Sequence, residues 1–158
     1  MSNYLIISSD GHAGPPPSVY RDYLDPRFRV RFDEYQAELV AGRMVNREFV
    51  DEWDEETGDH EMRAGYDPEI RDRILDQEGV AAEVLFPDAD VLGTGRLADS
   101  PFGSGLASGK DSDPEAVWAG ARAHNRWLAD FCSTNPHRRI GCAVIPVTVG
   151  VDTAVAEA

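Results

Sequence analysis

Basic residues are scarce in this chain: 15 Lys and Arg stand against 29 Asp and Glu, a formal net charge of −14 over 158 residues. Phosphate binding needs a basic surface, so this balance argues against nucleic acid and against docking on anionic membranes. Long apolar runs are also missing, and none approaches the roughly 20 residues that span a bilayer. The amino terminus has no basic start leading into an apolar stretch of about 7–15 residues and a small-residue cleavage site. The cytoplasm is therefore the expected compartment. Cysteine is limited to Cys132 and Cys142, too few and too widely spaced for a disulfide framework or a zinc knuckle. Both read as small buried hydrophobes.

What remains is a chain of one-domain size with regular αβ signals. Tyr4 to Ser8 reads as a buried strand, stopped after Asp10-Gly11-His12 by the run Pro15-Pro16-Pro17. Ser18 to Leu24 reads as a short helix ended by Asp25-Pro26. Between Phe28 and Tyr66 the pattern loosens. Glu34 to Val40 fits a helix, Arg43 to Val50 a hairpin or extended arm, and 51–61 is an acidic run that reads as a solvated surface. The region 28–66 is expected to be an insertion.

Regularity returns at Asp67-Pro68, an N-cap followed by proline at the first helical position. Ile70, Ile74 and Leu75 supply the apolar stripe, Gly79 ends the helix, and Ala81 to Phe86 reads as a buried strand closed by Pro87. The segment 88–112, rich in Gly, Ser and Asp, is expected to be a long loop leaving the carboxyl end of that strand. Asp113-Pro114 repeats the cap signature and opens a helix to Asn135. Ile140 to Pro146 reads as a third buried strand, and a last helix starts near Asp152. One turn without a C-cap is unstable alone, so the expectation is the N-terminal part of a larger parallel sheet or barrel, cut off part-way.

Two glycine motifs fail on context. Gly93-Thr94-Gly95-Arg96-Leu97-Ala98 fits a dinucleotide fingerprint, but Asp99-Ser100-Pro101 breaks the helix that must follow. Gly103 to Lys110 lacks the glycine a P-loop needs at Ser104 and the hydroxyl it needs at Asp111. His60, His124 and His137 stand singly and read as structural or exposed. Asp10-x-His12 is different. Residues i and i+2 of a strand share a face, so a carboxylate and an imidazole converge at the carboxyl end of the first strand. Parallel-sheet proteins hold their chemistry there.

Four blocks in order resemble amidohydrolase family 2. They are Ile7 to His12 with its prolines, Arg73 to Pro87, Asn125 to Cys132, and Pro136 to Pro146. The resemblance implies a metal-dependent (β/α)8 TIM barrel, of which residues 1–158 would form a partial single domain of about three βα units. It implies hydrolysis of a C–N or C–O bond in a small molecule by a metal-activated water. Non-oxidative decarboxylation on the same scaffold, as of aminocarboxymuconate semialdehyde or resorcylate, is the alternative. The first strand of that family carries a His-x-His or acidic-x-His metal pair. Asp10 takes its first position, an aspartate variant, and His12 its second. The implied ion is divalent, zinc first and manganese second. Further ligands and the catalytic base are expected on later strands absent from this sequence, leaving the chain inactive alone. An alternative from another class is a non-catalytic interaction domain, with homo-oligomer formation.

Overall fold

The computed structural model describes residues 4–44, 63–87, 113–145, 147 and 150–158. Its centre is an open, fully parallel sheet of three strands in the order β1 (Ile6–Ala13), β2 (Val80–Pro87) and β3 (Arg139–Gly141). Between β1 and β2 lie α1 (Pro17–Tyr23), a 3₁₀ turn (Pro26–Phe28), α2 (Arg29–Met44) and α3 (Pro68–Gln77). Between β2 and β3 runs α4 (Pro114–Ser133), and α5 (Val151–Glu157) follows β3. This is a mixed α/β arrangement, and its strands do not close into a barrel among the described residues. No helix among those residues is long and apolar enough to cross a membrane.

The two Asp-Pro signatures cap as the sequence predicts. The Asp67 carboxylate accepts from the backbone N–H of Glu69 and Ile70 at 3.0 and 3.1 Å, and Asp113 accepts from Glu115 N–H at 3.0 Å. The Ile70 N–H, ahead of the Glu69 N–H and Arg63, holds the Asp67 carboxyl below the usual carboxylate range. Asp67→Ala is expected to cost about 1 kcal/mol in urea unfolding. At the other end of α3, Gly79 has φ +69, the left-handed conformation that a helix C-terminus asks of glycine.

Two apolar clusters hold the layers together. Leu24, Phe28 and Phe32 pack on Ala116, Ala119 and Ala123, because the small residues of α4 leave room for two rings. Tyr20 closes this cluster, stacking on Phe32 and donating its hydroxyl to the Gly120 carbonyl at 2.8 Å. Burial pushes its phenol well above the usual value. Ala13, Leu85, Trp127, Leu128 and Phe131 form the second cluster between sheet and α4. Tyr23 packs against both.

Three sequence expectations change. Strand β1 starts at Ile6 and runs through Asp10-Gly11-His12 to Ala13, and its apolar start is not buried: Ile6 and Ile7 are 48% and 56% exposed. The helices cover one sheet face, while Ile7, Phe86 and Ile140 look out from the other or its rim. Strand β3 has three residues instead of seven, prolonged by one further bond from Cys142 N–H to the Leu85 carbonyl at 2.8 Å. Helix α2 begins at Arg29, so Phe28 and Phe32, placed in the expected insertion, contribute to the core.

Candidate functional site

Strand β1 continues past Gly11 because β2 pairs with it from that residue on: Gly11 faces Leu85, His12 faces Phe86 and Ala13 faces Pro87. The ladder shifts register just before, so Ser9 and Asp10 stand opposite the single Val84. Such a bulge re-aims side chains at a strand end. Gly14 N–H donates to the Gly65 carbonyl at 3.0 Å and pins the exit from the strand.

Asp10 and His12 converge as their spacing predicts, with His12 Nε2 3.8 Å from Asp10 Oδ1. Both side chains are open to solvent, 91% for Asp10 and 52% for His12. The other ring nitrogen, Nδ1, lies 3.4 Å from the Pro87 carbonyl oxygen. A carbonyl only accepts, so in this contact Nδ1 carries the proton, and in the neutral ring Nε2, on the Asp10 side, is the nitrogen with the lone pair. A backbone carbonyl holding the far nitrogen is one way metal-ligating histidines are oriented. Two ligands of one tetrahedral zinc stand about 3.4 Å apart, given bonds of roughly 2.0–2.2 Å. The observed separation is a few tenths of an ångström longer, and the carboxylate is free to rotate. One anionic oxygen and one neutral imidazole nitrogen suit zinc or manganese. Among the described residues no group of three or more His, Cys, Asp or Glu converges on one point.

Behind this pair, on the helix side of the sheet, lies a charged cluster that the sequence reading passed over. Glu83 of β2 is 1% exposed. Arg71 of α3 grips its carboxylate from Nε at 3.2 and 3.0 Å and from Nη2 at 2.7 Å. The remaining Arg71 nitrogen, Nη1, donates to the His12 carbonyl at 2.9 Å and to the Ala64 carbonyl at 3.3 Å. Arg139, 3% exposed, sits on the other side of Glu83 with its Nε 3.7 Å from Oε1. Its Nη2 donates to Asp72 at 2.7 Å and to the Pro68 carbonyl at 2.9 Å, and its guanidinium lies over the Phe131 ring. The available signal was Glu83 itself: a lone carboxylate in an apolar strand must find a cation.

The other singled-out residues stay apart from Asp10 and His12. His124 is buried in α4 beside Trp127, and His137 is exposed after α4. Cys132 and Cys142 are free thiols and half-buried, and burial pushes the Cys132 thiol up. Of the arm expected over Arg43 to Val50, Arg43 and Met44 belong instead to α2; the rest of it, the acidic run 51–61 with His60, the loop 88–112 and both glycine motifs lie outside the described residues. No family model, no curated protein and no solved structure matches the chain.

Proposed function

We propose that the chain belongs to a metal-dependent hydrolase of the amidohydrolase type, a (β/α)8 barrel whose first strand presents Asp10 and His12 to a divalent ion. The observation that supports this reading most is the 3.8 Å approach of His12 Nε2 to Asp10 Oδ1 at the carboxyl end of a parallel strand, with Nδ1 turned to a backbone carbonyl. A zinc or manganese ion held there supplies Lewis acidity, lowering the pKa of water and polarising a carbonyl-type small-molecule substrate. His12 gives a ring nitrogen, its Nδ1 turned to the Pro87 carbonyl, and Asp10 gives negative charge against the cation. The Phe86 ring lies beside the imidazole, with 6.2 Å between ring centroids. Catalytic zinc takes about three protein ligands, so the rest of the set comes from outside the described residues.

Zinc titration against a chromogenic chelator tests the pair. We expect weak one-to-one binding that falls about tenfold or more in His12→Ala, at least the loss that removing a ligand's hydrogen-bond partner causes. Equal affinity in wild type and His12→Ala overturns the reading. The open sheet face with Ile7 and Ile140 favours a second one, a non-catalytic module that associates with a copy of itself. Sedimentation would then show a metal-free dimer.

A further inference from the structure

We infer that Arg71 is a positioning residue for His12, its guanidinium tying the carbonyl of that residue to the buried Glu83 so that the imidazole is presented in one orientation. The inference rests on the metal reading of Asp10 and His12 and names the residue that acts on that pair from the opposite face of the sheet. A guanidinium is planar, and its N–H groups point in fixed directions. With Nε and Nη2 committed to Glu83, the direction of Nη1 is set, and it meets the His12 carbonyl at 2.9 Å. The same atom reaches Ala64 at 3.3 Å, which joins the segment before α3 to the strand end.

Two local features make this brace necessary and possible. The ladder between β1 and β2 is out of register between Ser8 and Gly11, so the bond pattern that fixes a strand is interrupted up to Gly11, one residue ahead of His12. Gly11 then leaves the space. A Cβ there would stand 3.0 Å from Arg71 Nη2, 3.1 Å from Leu85 Cδ2 and 3.1 Å from the Val84 carbonyl. The guanidinium occupies ground that any other residue at position 11 would contest. Lysine cannot replace it, since one ammonium on a flexible stem does not span a carboxylate and two carbonyls in fixed directions.

The test reads the His12 ring itself. Selectively ¹⁵N-histidine-labelled, metal-free protein gives Nδ1 and Nε2 resonances that report the tautomer, and zinc titration of the same samples gives affinity. In wild type the Nδ1-protonated form is expected for His12. In Arg71→Lys we expect the two nitrogens to move toward averaged values and zinc affinity to fall about tenfold or more. Arg139→Lys is the control: it perturbs the same Glu83 cluster from the side away from His12, and it should lower stability while leaving the His12 resonances and zinc affinity unchanged. Should Arg71→Lys not fold, the double variant Arg71→Met with Glu83→Leu removes both charges together and carries the same readout. Wild-type His12 resonances in the Arg71 variants, or equal displacement by Arg139→Lys, overturn the inference. Zinc affinity that survives His12→Ala overturns the metal reading instead, because the metal-free resonances report positioning independently of it.

Discussion

Replacing Glu83 by alanine is expected to lower the free energy of unfolding by about 3–5 kcal/mol, the cost of breaking a buried ion pair from one side. Glu83 is 1% exposed, and the Arg139 side chain beside it is wholly buried. The Arg71 side chain is 14% exposed. Removing the carboxylate leaves two guanidinium groups facing each other with little water to screen them. Arg139 keeps Asp72, whose side chain is 32% exposed, but Arg71 keeps only backbone carbonyls. Domains are held by roughly 5–15 kcal/mol in all, so this one substitution removes a large share. The double variant Arg71→Met with Glu83→Leu should lose much less than the sum of the single changes, because the desolvation of both charges disappears with them. Urea unfolding of the wild type, Arg71→Met, Glu83→Leu and the double variant measures the coupling. A single-variant loss below about 1 kcal/mol would class the pair with solvated surface bridges and sink the prediction.

How much of this was legible in the sequence depends on whether the signal was local. Asp67-Pro68 and Asp113-Pro114 announced their helices to within a residue, because cap chemistry acts over three positions and needs no tertiary partner. The convergence of Asp10 and His12 was legible for the same reason, since the two-residue period of a strand is a property of the backbone. What escaped was long-range. Phe28 and Phe32 gave no clean stripe to place α2 because their partners are alanines more than eighty positions away. Ile7 and Ile140 read as buried because parallel strands usually are covered on both faces, whereas the described helices cover one. Strand β3 shrank because a run of apolar residues does not tell where its neighbour's pairing ends. The Arg71–Glu83–Arg139 cluster required joining α3, β2 and β3, which no single window of sequence contains. The proposed barrel rests on resemblance alone, and the proposed chemistry on resemblance and on the Asp10–His12 geometry.

Acid should unfold this protein earlier than its carboxylates alone would dictate, and His124 is the cause. Its ring is 5% exposed, its Nε2 has no hydrogen-bond partner among the described residues, and Trp127 lies 5.8 Å away. Burial therefore pushes its pKa down to about 4, against an ordinary value of about 6.5. Between those two values the unfolded chain takes up a proton that the folded chain refuses. Stability thus rises with pH through this window: the contribution is complete above about pH 6.5 and is lost as the pH falls toward about 4. The difference amounts to about 3 kcal/mol at about 1.4 kcal/mol per unit. Asp67 and Asp113 act in a lower window: their carboxyls are held below the usual range, so their contribution is complete above the ordinary carboxylate value and is lost as pH falls from there through the lowered ones. The two windows separate the causes. Urea unfolding at pH 7, 5.5 and 4.5 should show the wild type losing stability steeply, while His124→Phe, which fills the same space without a titratable nitrogen, should follow a flatter course over that range. Parallel pH profiles for the two proteins would show that the imidazole reaches water in the folded state, and the buried neutral histidine would have to be given up.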